Sequence, residues 1–304
     1  MTIIQQRLVA SLTRLYPFYS GCGTFANKPF IQKLAGNSTE RVWSQVPGGE
    51  VLAPLDDYVG RAAFYAGDLD RKITWICDRI VRPGDTVLDI GANIGMISLW
   101  LSKLVGKTGK VHAFEPNPKL QEILEEMLDR NQISNVCLHP IALGSKRGSL
   151  ELRIPKVNAG AASLIRNRDL SDCDTVDVPV DLLSRIVAEE GIKSIRLIKI
   201  DVEGFEAEVF KGGREVLETI RPEAILFELN ERLEGSIRDR PVIKILQNFG
   251  YKFFCIPRCF LRMNLRYFDP NSCDRPIGHD FLAVAEGESY ENIAKLVKAL
   301  PNKR

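Results

Sequence analysis

The sequence predicts an α/β fold with a mainly parallel sheet that helices cover on both faces. From about residue 68, segments with strand character alternate with segments of helical periodicity, which is typical of βαβ units. The apolar runs VLDIG, LIKI and AILF are nearly continuous, as expected for strands buried on both sides. A glycine-rich turn follows the first of these strands, so we expect a ligand site at the carboxyl edge of the sheet.

Composition limits the protein class. The chain has 304 residues, of which 45% are hydrophobic and 26% charged, so it fits one large domain or a domain with an extension. The 41 basic residues nearly balance the 39 acidic ones, so total charge gives no argument for nucleic acid or membrane as a partner. No apolar run is long enough for a transmembrane helix, and polar residues interrupt the N-terminal segment where a signal peptide would need an apolar core.

The seven cysteines are an odd number without a CxxC pair, which favours free thiols in a reducing compartment. We therefore expect a cytoplasmic protein. Cys255, Cys259 and Cys273 lie near His279, but their spacing is not that of a zinc site, and no metal is predicted.

Residues 1–58 are predicted to form a helical and hairpin extension, and residues 59–304 the main domain. Over residues 3–16, the side chains Ile4, Leu8, Leu12 and Leu15 share one helical face. We expect this face to dock on the main domain. A membrane-surface helix is the alternative, and two arginines are few for one.

The remaining elements follow in order. ERVWSQV and EVLAPL flank Pro47-Gly48-Gly49 as a β-hairpin. Strand–helix units then follow, with strands in TVLDIG, KVHAFEP, NVCLHPIALG, SIRLIKID and AILFELN. The last two strands, YKFFCIP and HDFLAVAEG, have no helix between them and should pair antiparallel at the sheet edge.

The glycine turn has the pattern D-x-G-x-x-x-G, formed by Asp89, Gly91 and Gly95. A dinucleotide fingerprint needs glycine where this chain has Asn93 and Met96, so a nicotinamide oxidoreductase is disfavoured. No segment matches a Walker loop. Glycine permits close backbone approach to a ligand, and the Asp89 carboxylate suits a positive group.

The second strand ends in Glu115, where a carboxylate can accept hydrogen bonds from both ribose hydroxyls. Acidic groups on two neighbouring strands suit a cationic nucleoside without phosphate. S-adenosylmethionine has an ammonium, a sulfonium and a ribose, and it is the predicted cofactor.

Four blocks of the sequence now define a resemblance. They are RPGDTVLDIGANIG (82–95), VHAFEPNP (111–118), IALG (141–144) and LIKIDVEGFEAEVFKGG (197–213). Together they resemble the FkbM-type methyltransferases over about residues 60–285. The resemblance implies a Rossmann-like class I methyltransferase with a seven-stranded sheet, order 3-2-1-4-5-7-6, in which strand 7 is antiparallel. It also implies S-adenosylmethionine-dependent methylation of hydroxyls on sugars, polyketides or other natural products.

Under this resemblance, the cofactor's methionine end is wrapped by Gly91, Ala92, Asn93 and Gly95, and Glu115 binds its ribose. The alternative is a tight strand-to-helix turn without a ligand. Ile141 and Ala142 either flank the adenine or belong to the ordinary core.

Asp201, Glu203 and Glu206 follow the fourth strand. Asp201 is expected to face the methyl donor or the acceptor hydroxyl, and Glu203 to orient substrate or act as base. Glu206 fits the acidic preference of a helix N-terminus. His279, just before the last strand, is a second candidate base, with a surface histidine as the alternative.

Substrate binding is predicted at Glu228 and Asn230, which end the fifth strand, where a divalent cation is the alternative ligand. The long connection 257–278 contains Arg258, Arg262, Arg266 and Arg275 among aromatic residues such as Phe260, which suits an anionic sugar, with Arg262 and Arg266 as the predicted contacts. A solvated loop whose aromatic residues pack inward is the alternative. His112 and His139 are expected to have structural roles.

The predicted function is methyl transfer to a hydroxyl of a small molecule or glycan, most simply a sugar or glycan precursor. O-methylation of a polyketide or lipid-like metabolite is one alternative, and a non-catalytic binding module on the same fold is another. The oligomeric state is not predicted.

Overall fold

The computed structural model describes residues 3–36, 38–155, 159–165, 173–229, 236–272 and 278–300. Its strands are β1 (Arg41–Val46), β2 (Gly49–Pro54), β3 (Thr86–Ile90), β4 (Lys110–Phe114), β5 (Val136–His139), β6 (Ala142–Leu143), β7 (Gly148–Pro155), β8 (Cys173–Asp181), β9 (Leu197–Ile200), β10 (Ala224–Glu228), β11 (Tyr251–Ile256), β12 (Arg266–Phe268) and β13 (Asp280–Ala285). Its α-helices are α1 (Ile3–Thr13), α2 (Cys22–Ala26), α3 (Pro29–Ala35), α4 (Tyr58–Tyr65), α5 (Arg71–Ile80), α6 (Met96–Val105), α7 (Pro118–Arg130), α8 (Leu183–Glu189), α9 (Glu206–Gly212), α10 (Pro241–Asn248) and α11 (Glu288–Leu296).

The main sheet has the order β12-β11-β13-β10-β9-β3-β4-β5. The pairs among β5, β4, β3, β9 and β10 are parallel, and β13 runs antiparallel to both β10 and β11. If β12 is set aside and the other seven strands of this sheet are renumbered in chain order, β3 becomes strand 1 and β13 becomes strand 7. Their order is then the predicted 3-2-1-4-5-7-6. The sheet therefore has eight strands rather than seven, because β12 pairs with β11 at the edge.

Helices cover both faces of this sheet. On one face, apolar residues of α8, α9 and α10 pack on the alternate strand residues Leu88, Ile198 and Ile225. On the other face, α5, α6 and α11 pack on the strand residues that point the opposite way, such as Val87 and Leu197. This double burial explains the nearly continuous apolar strands.

One feature of the middle of the chain was not predicted. Strands β6, β8 and β7 form a separate three-stranded sheet with its own apolar cluster. The segment around β7 and β8 has mixed polarity and one exposed face, so it lacks the apolar runs that revealed the main strands.

The N-terminal segment, residues 3–65, packs against the main sheet's helices. The hairpin of β1 and β2 is confirmed, with Val46 opposite Gly49. Residues of α1–α4 and the hairpin share one hydrophobic cluster with α6 and α7. Arg14 ties α1 to this cluster by donating to the carbonyls of Phe64 and Gln45, each at 2.9 Å.

The predicted docking face of α1 is wrong. Ile4, Leu8 and Leu12 point to solvent, and the helix instead packs through Gln6 and Ala10 on its opposite side. Periodicity located the apolar face correctly but could not show what it contacts. Among the described residues, no helix is long and apolar enough to cross a membrane.

Candidate active site

A cavity of about 760 Å³ opens at the carboxyl edge of the main sheet. Its walls come from the ends of β3, β4, β9 and β10, the start of β13, and the N-terminal segment. The volume lies within the range of small-molecule sites. The place is the one expected for a ligand in an open α/β sheet.

The glycine turn after β3 forms one end of the cavity, through Gly91, Ala92 and Asn93. Gly91 has a left-handed φ of 81°, and a Cβ there would lie 2.0 Å from the carbonyl oxygen of Asp201. Only glycine fits this contact, which brings the two strand ends together. The three residues lie where the sequence predicted the cofactor.

Gly95 does not line the cavity. Its φ is 83°, and a Cβ would lie 2.4 Å from Met127 Cε and 2.6 Å from Leu124 Cδ2. Gly95 therefore lets α6 begin close to α7. The predicted contact of Gly95 with the cofactor is corrected to this packing role.

Asp89 is fully buried below the turn. Its carboxylate accepts a 2.6 Å hydrogen bond from Ser98 Oγ and lies 3.2 Å from Lys199 Nζ. The positive group that Asp89 faces is thus a lysine of the chain itself, and its predicted cofactor contact is corrected.

Lys199, which sequence reasoning missed, joins the first and fourth strands. Its ammonium donates to the Gly91 carbonyl at 2.8 Å. Burial disfavours the charge, but the carboxylates of Asp89 and Asp201 outweigh this effect and raise the pKa of Lys199. The lysine in the block LIKID was the available signal for this buried cation.

Glu115 lies beside the turn and lines the cavity. Its carboxylate accepts hydrogen bonds from the backbone N–H of Asn93 at 2.8 Å and of Asn117 at 2.9 Å. Burial raises the pKa of Glu115 to about 7, although these hydrogen bonds oppose the shift. Asn117 caps α7 by accepting from Lys119 N.

Ile141 and Ala142 also line the cavity, on the side of β5. They lie where the sequence predicted the adenine to be flanked. Their contact with adenine stays a prediction.

Three acidic residues follow β9. Asp201 and Glu203 line the cavity, and Glu203 has a left-handed φ of 54°. Glu206 is buried and accepts from the backbone N–H groups of Val202 and Gly204, at 3.1 and 3.2 Å. Glu206 therefore holds the turn that presents the other two, while burial raises its own pKa to about 7.

Glu228 and Asp280 extend this acidic region across β10 and β13, where they stand opposite each other in register. The Glu228 side chain is exposed to the cavity, yet the surrounding protein limits its solvation. This desolvation, together with nearby carboxylates led by Asp201, raises the pKa of Glu228 to about 8.

Asp280 was not predicted as a site residue. It pairs with Lys72 of α5, whose Nζ lies 2.6 Å from Asp280 and 3.1 Å from Asp70. These three residues line the cavity, and Asp280 lies 208 residues from Lys72 along the chain. Their sequence neighbourhoods gave no signal of the pairing.

His279 lines the cavity, as expected from the start of an antiparallel strand. His112 and His139 lie outside the cavity lining, with Nδ1 and Nε2 3.0 Å apart and Cys137 close by. Burial is the first cause that lowers the pKa of both histidines, to about 4 for His112, which suits the expected structural role.

Arg262 and Arg266 do not line the main cavity. They lie on a shallower depression beyond it, because β12 carries Arg266 to the outer sheet edge. Their predicted substrate contact is corrected, and Arg258 and Phe260 of the same connection line the cavity instead. Asn230 lies outside the described residues.

The N-terminal segment supplies the remaining wall, which sequence analysis left without a function. Its lining residues include Tyr16, Phe25, Lys28 and Tyr58. The rings of Tyr16 and Phe25 stack with centroids 4.4 Å apart. This aromatic pair lies in the wall of a cavity that acidic side chains also line.

Comparison with known proteins identifies the chain. The family model described as the Methyltransferase FkbM domain matches residues 89–253, more than half of its length. The chain belongs to the FkbM methyltransferase family. S-adenosylmethionine is accordingly its cofactor, and the cavity fits it: the glycine turn permits close approach, and the carboxylates suit a cationic ligand.

Three relatives of this chain are informative. It is 28% identical to 31-O-demethyl-FK506 methyltransferase FkbM of Streptomyces tacrolimicus, covering 68% of this chain and 87% of that protein. It is 26% identical to 2-O-methyltransferase NoeI of Sinorhizobium fredii, covering 57% and 76%. It is 30% identical to Methyltransferase sdnD of Sordaria araneosa, covering 49% and 72%.

Among solved structures, the crystal structure of Methyltransferase FkbM from Methylobacillus flagellatus matches 75% of this chain and 53% of that one. The sequence identity is 15% and the TM-score 0.40.

Proposed function

We propose that this protein transfers the methyl group of S-adenosylmethionine to a hydroxyl oxygen, and that the acceptor is a sugar or glycan precursor. The observation that carries the proposal is one cavity with two chemically different ends. Gly91 and Glu115 line the part that we call the cofactor end, and Asp201, Glu203 and Glu228 line the adjoining part that we call the acceptor end.

When bound, S-adenosylmethionine supplies a methyl group on a positively charged sulfur. Gly91, Ala92 and Asn93 would hold its methionine portion, and Glu115 would accept hydrogen bonds from its ribose hydroxyls. Ile141 and Ala142 would flank the adenine.

The remaining carboxylates act on the acceptor. A sugar hydroxyl is a weak nucleophile, so a base that removes its proton during transfer accelerates the reaction. Asp201 is the proposed base because its own backbone abuts Gly91, which places it next to the cofactor end. Glu203 orients the hydroxyl. His279, which precedes Asp280 in the wall of the same cavity, is the second candidate.

The N-terminal wall completes the acceptor side. The stacked Tyr16 and Phe25 present apolar ring surface, which suits the face of a sugar ring. Relatives named as a 2-O-methyltransferase and as a hexuronic acid methyltransferase agree with a hydroxylated, sugar-like acceptor.

The same aromatic wall also favours a second candidate acceptor, a hydroxylated polyketide or lipid-like metabolite. The relative named for a demethyl-FK506 substrate agrees with this class.

An acceptor screen with methyl-labelled S-adenosylmethionine tests the proposal. Sugars, uronic acids, nucleotide sugars and hydroxylated metabolites are incubated with wild-type protein, with Asp201→Asn as the control. A labelled O-methyl sugar made only by the wild type supports the proposal. Label on a polyketide-like acceptor supports the second candidate, and label on nitrogen contradicts O-methylation.

A further inference from the structure

The N-terminal segment exposes an apolar surface on α1 and on the turn that follows it. Ile4, Leu8, Leu12 and Leu15 lie at spacings of four, four and three residues, and each is between 63% and 75% exposed. They stand on the side of the helix opposite the buried Gln6 and Ala10. A regular row of exposed large side chains differs from the isolated apolar residues that occur on any protein surface.

Helix α3 extends this surface. Phe30 and Leu34, one helical turn apart, are 53% and 56% exposed. Gln5 Nε2 of α1 donates to the carbonyl of Leu34 at 3.5 Å, so the two helices lie side by side. We call Ile4, Leu8, Leu12, Leu15, Phe30 and Leu34 together the apolar face.

The charge around the apolar face has one sign. Residues 1–39 contain Arg7, Arg14, Lys28 and Lys33 but no aspartate or glutamate, although acids and bases nearly balance over the whole chain. Arg7, Lys28 and Lys33 are exposed, whereas Arg14 is bound to backbone carbonyls. The apolar face is therefore flanked by cations without compensating acids from its own segment.

This charge decides between two occupants. A second copy of the chain would bring like charges together across the interface, which is unfavourable. An anionic lipid surface offers opposite charge to the basic residues and an apolar layer to the leucines.

We propose that the apolar face docks on an anionic phospholipid bilayer, with α1 lying in the plane of the surface. The docking depends on this face alone and not on methyl transfer. Phe30 contacts Phe25 at a centroid distance of 6.2 Å, and Phe25 and Lys28 line the cavity. The docked protein thus holds the N-terminal wall of its cavity beside the lipid headgroups.

Vesicle co-sedimentation of the full chain tests the proposal. Vesicles of phosphatidylcholine mixed with phosphatidylglycerol should bind the protein, and added salt should weaken the binding. Pure phosphatidylcholine vesicles should bind it less.

Variants locate the contact. The double variant Leu8→Ser, Leu12→Ser should lower partitioning by about tenfold or more, since each leucine loses its burial in the lipid. Leu300→Ser, a partly exposed leucine on another part of the surface, should bind as the wild type does. Lys33→Glu should reduce the preference for anionic vesicles, whereas Lys103→Glu on α6 should not. Circular dichroism verifies that each variant is folded.

Three results would overturn the proposal. The first is no sedimentation with either vesicle, and the second is equal binding by wild type and the double leucine variant. The third is a dimer in analytical ultracentrifugation that the double leucine variant abolishes while vesicle binding is absent, because a second copy would then cover the face.

Discussion

The two ends of the cavity are built in different ways. At the cofactor end, the ligand-facing groups are fixed by backbone: Glu115 is held by the N–H groups of Asn93 and Asn117, and Gly91 abuts the Asp201 carbonyl. At the acceptor end, side chains from distant segments meet, as Lys72 and Asp280 do across 208 residues. A backbone-built site tolerates little sequence change, whereas a side-chain-built site can vary while the fold stays the same.

The two ends share one chemical property. Desolvation is the main cause that raises the pKa of Glu115 at the cofactor end to about 7 and the pKa of Glu228 at the acceptor end to about 8. A cationic ligand opposes this effect, so binding and ionisation are coupled. The comparison predicts that substitutions at the acceptor end change turnover, and that substitutions at the cofactor end change affinity for the cofactor.

The largest expected effect is that of Asp201→Asn at the acceptor end. Removing the proposed base should lower kcat by about 100-fold or more, the usual contribution of general base catalysis. The melting temperature should be affected far less than turnover, because the amide keeps the shape of the carboxylate and Asp89 still pairs with the buried Lys199. Initial rates with the acceptor from the screen measure the effect.

Asp174→Asn, an exposed aspartate on β8, is the matched control and should keep wild-type rates. Wild-type turnover in Asp201→Asn would move the proton acceptor elsewhere, with His279→Asn the next variant to measure.

An effect of similar size, on cofactor affinity rather than on turnover, is expected from Glu115→Ala at the cofactor end. Each lost hydrogen bond from a ribose hydroxyl to the carboxylate should cost about 1.5–3 kcal/mol of binding free energy. Titration calorimetry with S-adenosylhomocysteine measures it. Because Glu115 also holds two backbone N–H groups, thermal unfolding must accompany the titration, and Glu115→Gln serves as the variant that keeps one acceptor oxygen. Unchanged affinity in both would remove Glu115 from the cofactor site.

The smallest expected effect is the pH dependence of cofactor affinity. The pKa of Glu115 is raised to about 7, and hydroxyl donors favour its ionised form, so binding lowers this pKa and releases protons. Affinity for S-adenosylhomocysteine should therefore fall as pH drops from about 8 to about 6, by at most about tenfold per unit. Titrations in buffers of different ionisation enthalpy report the proton release. A Glu115→Gln profile as steep as that of the wild type would assign the dependence to another group.

The cofactor end was largely predictable from sequence, since its parts lie within short motifs. Gly91 and Glu115 each follow a strand whose apolar run reveals it, so parallel topology places them together. The predictions that were wrong at this end are the cofactor contacts of Asp89 and Gly95. Both residues belong to the same motif, but they support the turn on the side away from the cavity. A motif shows which residues belong to a turn, but it does not show which side chains face the ligand.

The acceptor end was less predictable, because it depends on tertiary placement. Nothing in residues 3–35 indicates that Tyr16 and Phe25 reach the strand ends. The short strand β12 removed Arg266 from the cavity, and three residues of mixed polarity give too weak a pattern to predict it. The exposed face of α1 is a further case, since helical periodicity is the same for a docked face and a solvent-facing one.

The most direct test of the central claim is calorimetric titration of the purified protein with S-adenosylhomocysteine, with NADH as the control. The account predicts saturable binding of S-adenosylhomocysteine at one site per chain, and no heat of binding with NADH. No binding of S-adenosylhomocysteine, or binding of NADH in its place, would contradict the assignment of Gly91 and Glu115 to a methyl-donor site.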